Sequence, residues 1–324
     1  MPDTALCPIR LLPACKDYIW GGTKLKTLYH KHSAFEKVAE SWELSCHKDG
    51  LSTVANGEYA GLTLPRYLEE AGRGVLGTSC ERFKQFPVLV KFIDAAGSLS
   101  VQVHPDDAYA LAHEGESGKN EMWYIVDCDE GSKLIYGFSR AVTKEEFRLR
   151  IENNTLLEVL ESVPVAKGDV FFIRADTIHA IGSGIVICEV QQSSNSTYRV
   201  YDFGRLGADG KPRALQIEKA LDVTTRQPAP RVAARPPALL CEGYSVTTLV
   251  RSEYFITDLL DIQTRAELDS DERTFRSFTC VEGDFRLESR GGPLEIETGA
   301  TVFVPAGAGK YAFTGRGKLL CVHY

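Results

Sequence analysis

GDVFFIRADTIHAIGSGIVICEV, residues 168–190, and GATVFVPAGAGKYAFTGRGKLLCVHY, residues 299–324, share one layout. Each opens on a glycine, runs through five mostly apolar residues, turns on a triplet, sets one distinctive side chain, passes a G-x-G and closes on an apolar run. A layout used twice in one chain marks a repeated structural unit. The distinctive side chain differs between the copies, because His179 of the first falls opposite Lys310 of the second. Runs of the same texture recur elsewhere: PVLVKFIDAAG, EMWYIVD, KLIYGF, SVTTLV and FRSFTCVEG. Many short runs rich in Val, Ile, Phe and Tyr, with glycine turns between them, predict an all-β sandwich or barrel.

Helices should be few. LPRYLEEAG has proline near its first turn and Gly72 as a stop, and PDDAYALAH opens with acids suited to the positive end of a helix dipole. TKEEFRLRIENNTLLEVLES carries the capping pattern twice, Thr143 with Glu146 and Thr155 with Glu158, which predicts two short helices. A further helix is expected in ALQIEKALDV. The proline-rich stretch that follows reads as a linker over 224–240, dividing a lobe of residues 1–223 from one of 241–324.

The chain has 324 residues, a formal net charge of −7 and no basic run, which argues against a nucleic-acid partner. No apolar stretch reaches the roughly 18 residues that span a bilayer, and the proline-rich start does not read as a signal peptide. We expect a cytoplasmic protein with no membrane partner, a monomer or weak homo-oligomer. The nine scattered cysteines contain no C-x-x-C pair, so they read as reduced thiols.

LSVQVHPDD, residues 99–107, alternates Leu99, Val101 and Val103 with Ser100, Gln102 and His104. Successive side chains on a strand face opposite ways. A Ser-Gln-His row in place of Lys or Glu points to an interior cavity. A lone histidine is more often a packing or surface residue than a ligand, and His30, His32, His47, His113 and His323 are read that way. His104 and His179 are different. With Glu121 at the start of the next strand, Gln102 on the same strand face as His104 and His179 at the distinctive place of the repeated layout, one interior can supply two imidazole nitrogens, a carboxylate and an amide oxygen. That set suits zinc, with iron or manganese as alternatives.

The repeated layout resembles the second motif of the cupin superfamily: glycine, strand, Pro-x-Gly turn, metal-binding histidine. The first copy has Arg174 and Asp176 in the Pro and Gly places but keeps the histidine. The second keeps Pro305 and Gly307 and lacks it. The resemblance implies a mainly β fold of two cupin-type jelly-roll barrel lobes with a few short helices, metal-binding in the first lobe only. FPVLVKFIDAAGSLSVQVHPDD, GKNEMWYIVD, TIHAIGSGIVICEVQQSSNSTYRVYDFGR and the early IWGGTKL together resemble the type I mannose-6-phosphate isomerases of short bacterial form. That resemblance implies one zinc per chain on Gln102, His104, Glu121 and His179. It also implies active-site roles for Lys119 and Arg199, with Lys91 and Ser100 lining the substrate pocket and Glu189 nearby. Where many relatives carry an aspartate four residues before the arginine, this chain has Asn195, an amide that cannot act as a base near neutral pH.

The implied reaction moves a proton between C2 and C1 of a sugar phosphate, which needs a base at that edge and positive charge where oxygen becomes anionic. Lys119 is the favoured base, ahead of Glu189, which can instead orient a ligand. Lys91 and Arg199 are the candidate phosphate partners. Trp20 can stack on the sugar or fill the core. A different sugar isomerase, an iron dioxygenase and a sugar-binding protein without turnover are the alternative readings of the same motifs.

Overall fold

The computed structural model describes residues 6–207, 210–230 and 236–324. Among these, twenty-one β-strands outweigh five short α-helices, and all the runs read as strands from the sequence are strands. They form a ten-, a six- and a five-stranded sheet with antiparallel strand pairing. The helices expected from LPRYLEEAG, PDDAYALAH and ALQIEKALDV form at Leu64–Ala71, Asp107–His113 and Ile217–Val223. Of the two expected from the doubled capping pattern, only the first is α-helical. Thr143 accepts the Glu146 N–H and starts Lys144–Glu152. Thr155 makes no side-chain cap bond, and Leu156–Val159 is a single 3₁₀ turn. A strand begins at Leu160, so the second segment runs out of chain before a helix can propagate.

The sheets pack in layers because their strands alternate. On Val88–Ala95, Glu121–Cys128 and Ile185–Gln192 of the six-stranded sheet, Ile93, Ile125 and Ile187 meet Leu134, Tyr136 and Ile181 of the five-stranded sheet. The opposite faces of the same strands, through Val90, Phe92, Met122, Cys188 and Val190, pack with Leu259, Phe303, Leu320 and Val322 of the ten-stranded sheet. The outer face of the five-stranded sheet, with Val101, Val103, Ile178 and Val200, is covered by Phe147, Ile151, Ala220 and Leu221 from Lys144–Glu152 and Ile217–Val223. The order is therefore helices, five strands, six strands, ten strands. Among the described residues no sheet closes on itself, so the barrels expected from the sequence are open sheets whose core comes from face-to-face packing.

The ten-stranded sheet, mostly residues 239–323, also takes in two early strands: Ile9–Leu12 pairs with Thr301–Val304 and with Thr53–Val54. Part of the expected linker, residues 231–235, and the first five residues of the chain lie outside the described residues. Leu239–Cys241 is already a strand. The repeated layout carries over to the backbone. Gly168 and Gly299 have φ of 92° and 93°, and Asp176 and Gly307 both have φ of 75°. Aspartate is one of the few side chains that tolerate this left-handed turn, which is how the first copy keeps the geometry without glycine.

Candidate metal centre

The period-two alternation sends the chemistry-bearing residues into the space between the five- and six-stranded sheets. Gln102 lies between His179 and Arg199 in the five-stranded register. His104 follows just past the end of Val101–Val103. From the facing sheet, Glu189 stands between Lys91 and Trp123, and Glu121 stands beside Gln191. Two turns tie these strands together. The Asp176 N–H donates to the His104 carbonyl at 2.9 Å, which joins the turn before His179 to the end of the Gln102 strand. At Gly118 a Cβ would lie 2.5 Å from the Asp107 nitrogen, so only glycine lets the chain pass here on its way to Lys119 and Glu121.

His104, Glu121 and His179 are all buried, and their candidate ligand atoms lie within 4.8 Å of one another. No other group of this kind occurs among the described residues. Each imidazole is fixed by a backbone carbonyl: His104 Nδ1–H donates to Ser196 O at 2.8 Å, and His179 Nδ1–H to Thr177 O at 2.8 Å. Both Nε2 atoms therefore carry no proton and are turned toward Glu121, at 3.3 Å and 3.9 Å from its oxygens. His179 Nε2 has no hydrogen-bond partner although it is fully buried. A buried polar atom without a partner is costly, and a cation between these atoms removes that cost.

The protonation states fit as well. Burial and then the charge on His104 push His179 down to about 3. Burial and Lys119 lower His104. Burial works against ionisation of Glu121, but the adjacent Lys119 outweighs it and holds its carboxyl well below the usual range. Two neutral imidazoles and a carboxylate are the forms that bind a metal. Gln102 has its Oε1 3.3 Å from the Ser100 hydroxyl, which donates to it, and its side chain lines the adjoining cavity.

That cavity, about 250 Å³, is walled by Lys91, Gln102, Lys119, Glu189, Arg199 and Trp20 among others. Lys119 links it to the candidate metal centre, since its Nζ contacts Glu121 Oε1 and lies 3.3 Å from His104 Nε2. Lys91 is buried between Glu189, at 3.4 Å, and Glu40, at 3.7 Å, and lies over the Trp42 ring. Burial alone would lower its pKa; the charges of Glu40, Glu189 and Glu121 outweigh it and hold the ammonium charged. Glu189 is raised by burial and by Glu121. The indole N–H of Trp123 reaches both carboxylates, 3.0 Å from Glu121 Oε2 and 3.0 Å from Glu189 Oε2. Arg199 donates through Nε to Ser100 and through Nη1 to the Ala214 carbonyl; burial and nearby Arg213 lower its pKa. Trp20 is buried in the core between the sheets and also borders the cavity.

All the residues singled out from the sequence therefore meet in one place. Sequence reasoning missed several neighbours: Trp123, Arg213, Glu40 and Trp42. ESWELS did show alternation, but with polar residues on both faces it gave no sign of which side was inward. Asn195 lines the cavity with its amide Nδ2 donating to Asp49 Oδ2 at 2.9 Å. Of the histidines read as packing or surface residues, His323 pairs with Asp258 and His113 stacks on Tyr109.

The fold and the centre define a cupin-domain protein with a buried His–Glu–His cluster. A sequence model of the mannose-6-phosphate isomerase cupin domain matches residues 245–324, and one of the type I phosphomannose isomerase catalytic domain matches residues 9–131. A probable mannose-6-phosphate isomerase of Bacillus subtilis is 37% identical over 317 residues, 98% of this chain and 99% of that one. A mannose-6-phosphate isomerase of Streptococcus mutans is 44% identical over 249 residues, 76% of this chain and 77% of that one. The crystal structure of the mannose 6-phosphate isomerase from B. subtilis superposes with a TM-score of 0.91 at 34% identity, covering 98% of this chain and 99% of that one. The chain belongs to the type I mannose-6-phosphate isomerases.

Proposed function

We propose that this chain interconverts mannose 6-phosphate and fructose 6-phosphate, with one zinc ion held by His104, Glu121, His179 and Gln102. The observation that carries the reading is Lys119, whose Nζ touches the buried His–Glu–His cluster while its side chain lines the cavity. When bound, the zinc supplies Lewis-acid charge to substrate oxygens. Lys119, as the neutral amine, takes the proton from C2 to leave an enediolate and returns it at C1. Arg199, fixed by Ser100 and the Ala214 carbonyl, directs positive charge to the oxygen that becomes anionic. Glu189, held by Trp123 and paired with Lys91, orders the cavity floor. Arg213 at the cavity wall, which shares the single carboxylate of Asp202 with Arg205 and so leaves positive charge over, meets the substrate phosphate, whereas Lys91 is paired with both Glu40 and Glu189. Trp20 packs along the sugar.

We assign the metal and the chemistry to the unit of residues 1–223 and a structural role to the C-terminal unit, the two being cupin-type lobes joined by the segment that runs from 224 to the strand at Leu239. The protein acts in the cytoplasm as a monomer or weak homo-oligomer. Proton NMR of mannose 6-phosphate incubated with zinc-loaded protein tests the activity. Resonances of fructose 6-phosphate are expected to grow to an equilibrium reached from either sugar. Binding without conversion, or oxygen consumption in place of isomerisation, would overturn the proposal.

A further inference from the structure

Glu116 lies in the loop between the helix Asp107–His113 and the strand that begins at Glu121. Its Oε2 collects three donors from one short segment: the Ser194 hydroxyl at 3.3 Å, the Asn195 N–H at 3.1 Å and the Ser196 hydroxyl at 3.3 Å. The Ser194 hydroxyl in turn accepts the Ser196 N–H at 3.2 Å. The carbonyl of the same Ser196 is the acceptor for His104 Nδ1–H. The other carboxylate oxygen, Oε1, lies 3.3 Å from His47 Nε2. His47 Nδ1 accepts the Asp49 N–H at 3.2 Å, which leaves the ring proton on Nε2, pointing at Glu116. His47 is buried, with its ring edge-on to Trp42 at 5.7 Å.

We infer that Glu116, backed by His47, is a positioning residue that aims the His104 imidazole and holds the 194–197 segment in the cavity wall. The inference rests on reading His104 as a metal ligand. Charge-assisted bonds to an ionised carboxylate are the stronger kind, and here they fix the orientation of one peptide. That peptide decides which nitrogen of His104 carries the proton, and so which one faces Glu121 and His179. The outer partners of metal ligands act in this way, by setting tautomer and ring orientation. The same clamp ties the loop that leads to Lys119 to the segment that leads to Thr197 and Arg199, both of which line the cavity. His47, a packing residue on the sequence alone, gains a role from what it supports.

The test compares Glu116→Ala and Glu116→Gln with the unmodified protein by two readouts that do not depend on turnover. The first is zinc affinity of the apo-protein, measured by chelator competition. Glu116→Ala is expected to bind zinc about 10- to 100-fold more weakly, the usual cost of losing an outer partner. Glu116→Gln, which keeps an oxygen for the Asn195 N–H, should fall between. The second is the nitrogen chemical shifts of His104 in the apo-protein. The unmodified chain should show a single Nδ1–H tautomer and Glu116→Ala a mixture. Zinc affinity within two-fold of the unmodified protein together with one unchanged tautomer would overturn the inference. Where Glu116→Ala does not fold, Glu116→Gln and His47→Phe are read against the same criteria. Failure of the unmodified protein to bind zinc counts against the metal reading instead, and the apo tautomer still decides the role of Glu116.

Discussion

Lys119 stands between two environments, a carboxylate and imidazole on one side and an open cavity on the other. Lys119→Met keeps the bulk of the side chain and removes the proton carrier. It should retain zinc and lose about 10²- to 10⁴-fold in kcat. Arg199→Ala should lose about 10²- to 10³-fold in kcat if the guanidinium meets developing charge. An Arg199 that only held phosphate would chiefly raise KM, the mark of binding shared by ground and transition states. Steady-state kinetics on zinc-replete variants separate the two cases. Asp176 offers a test at the backbone. In its left-handed turn Asp176→Gly should be tolerated, whereas Asp176→Val should cost about 1–2 kcal/mol, read by urea unfolding. At this scale His104, Gln102 and His179 were legible from alternation and the repeated motif. Glu116, Trp123 and Arg213 were not, since each matters only through what another strand or loop places beside it.

The strands of the six-stranded sheet bury both faces, one toward the cavity and one toward the ten-stranded sheet, and Glu40–Leu44 shows what this asks of a sequence. Glu40 and Trp42 reach the Lys91 side, while Ser41 and Glu43 face the other way. Glu43 forms a buried ion pair with Lys31 at 2.6 Å and accepts from Ser41 and from Thr301 of the ten-stranded sheet. Lys31 also donates to the Gly299 carbonyl, at the glycine that opens the second copy of the repeat. Removing one member leaves a buried charge without its partner, so Glu43→Leu or Lys31→Met alone should destabilise by about 3–5 kcal/mol. The double variant should recover much of that loss. Chemical denaturation measures all three, and a single variant within 1 kcal/mol of the unmodified protein would show that the pair does not hold the sheets together. This strand escaped the sequence reading because polar residues on both faces erase the contrast that identifies a half-buried strand. The Thr155 cap misled for the opposite reason: the local signal was present, but the chain was committed to the strand at Leu160.

Across the whole molecule the layers divide the labour. The five- and six-stranded sheets enclose the cavity, and the ten-stranded sheet backs the six-stranded one through Phe303, Leu320 and Val322. Lys310, in the place that His179 holds in the first copy, is exposed and sits opposite Asp269 in the sheet. Lys310→Gln should therefore leave turnover within a few-fold, and a large loss would assign the C-terminal sheet a share of the chemistry. The repeat was legible because the φ-restricted turn positions recur at matching places in both copies. That Ile9–Leu12 joins Thr301–Val304 was not, because pairing across almost the entire chain leaves no local trace. A coupled assay before chelation, after it, and after zinc is restored tests whether a metal held by His104, Glu121, His179 and Gln102 enables isomerisation of mannose 6-phosphate. Conversion to fructose 6-phosphate should disappear with the metal and return as about one zinc per chain is regained. Full turnover by metal-free protein, or none by the zinc-loaded protein, would contradict that role of the metal.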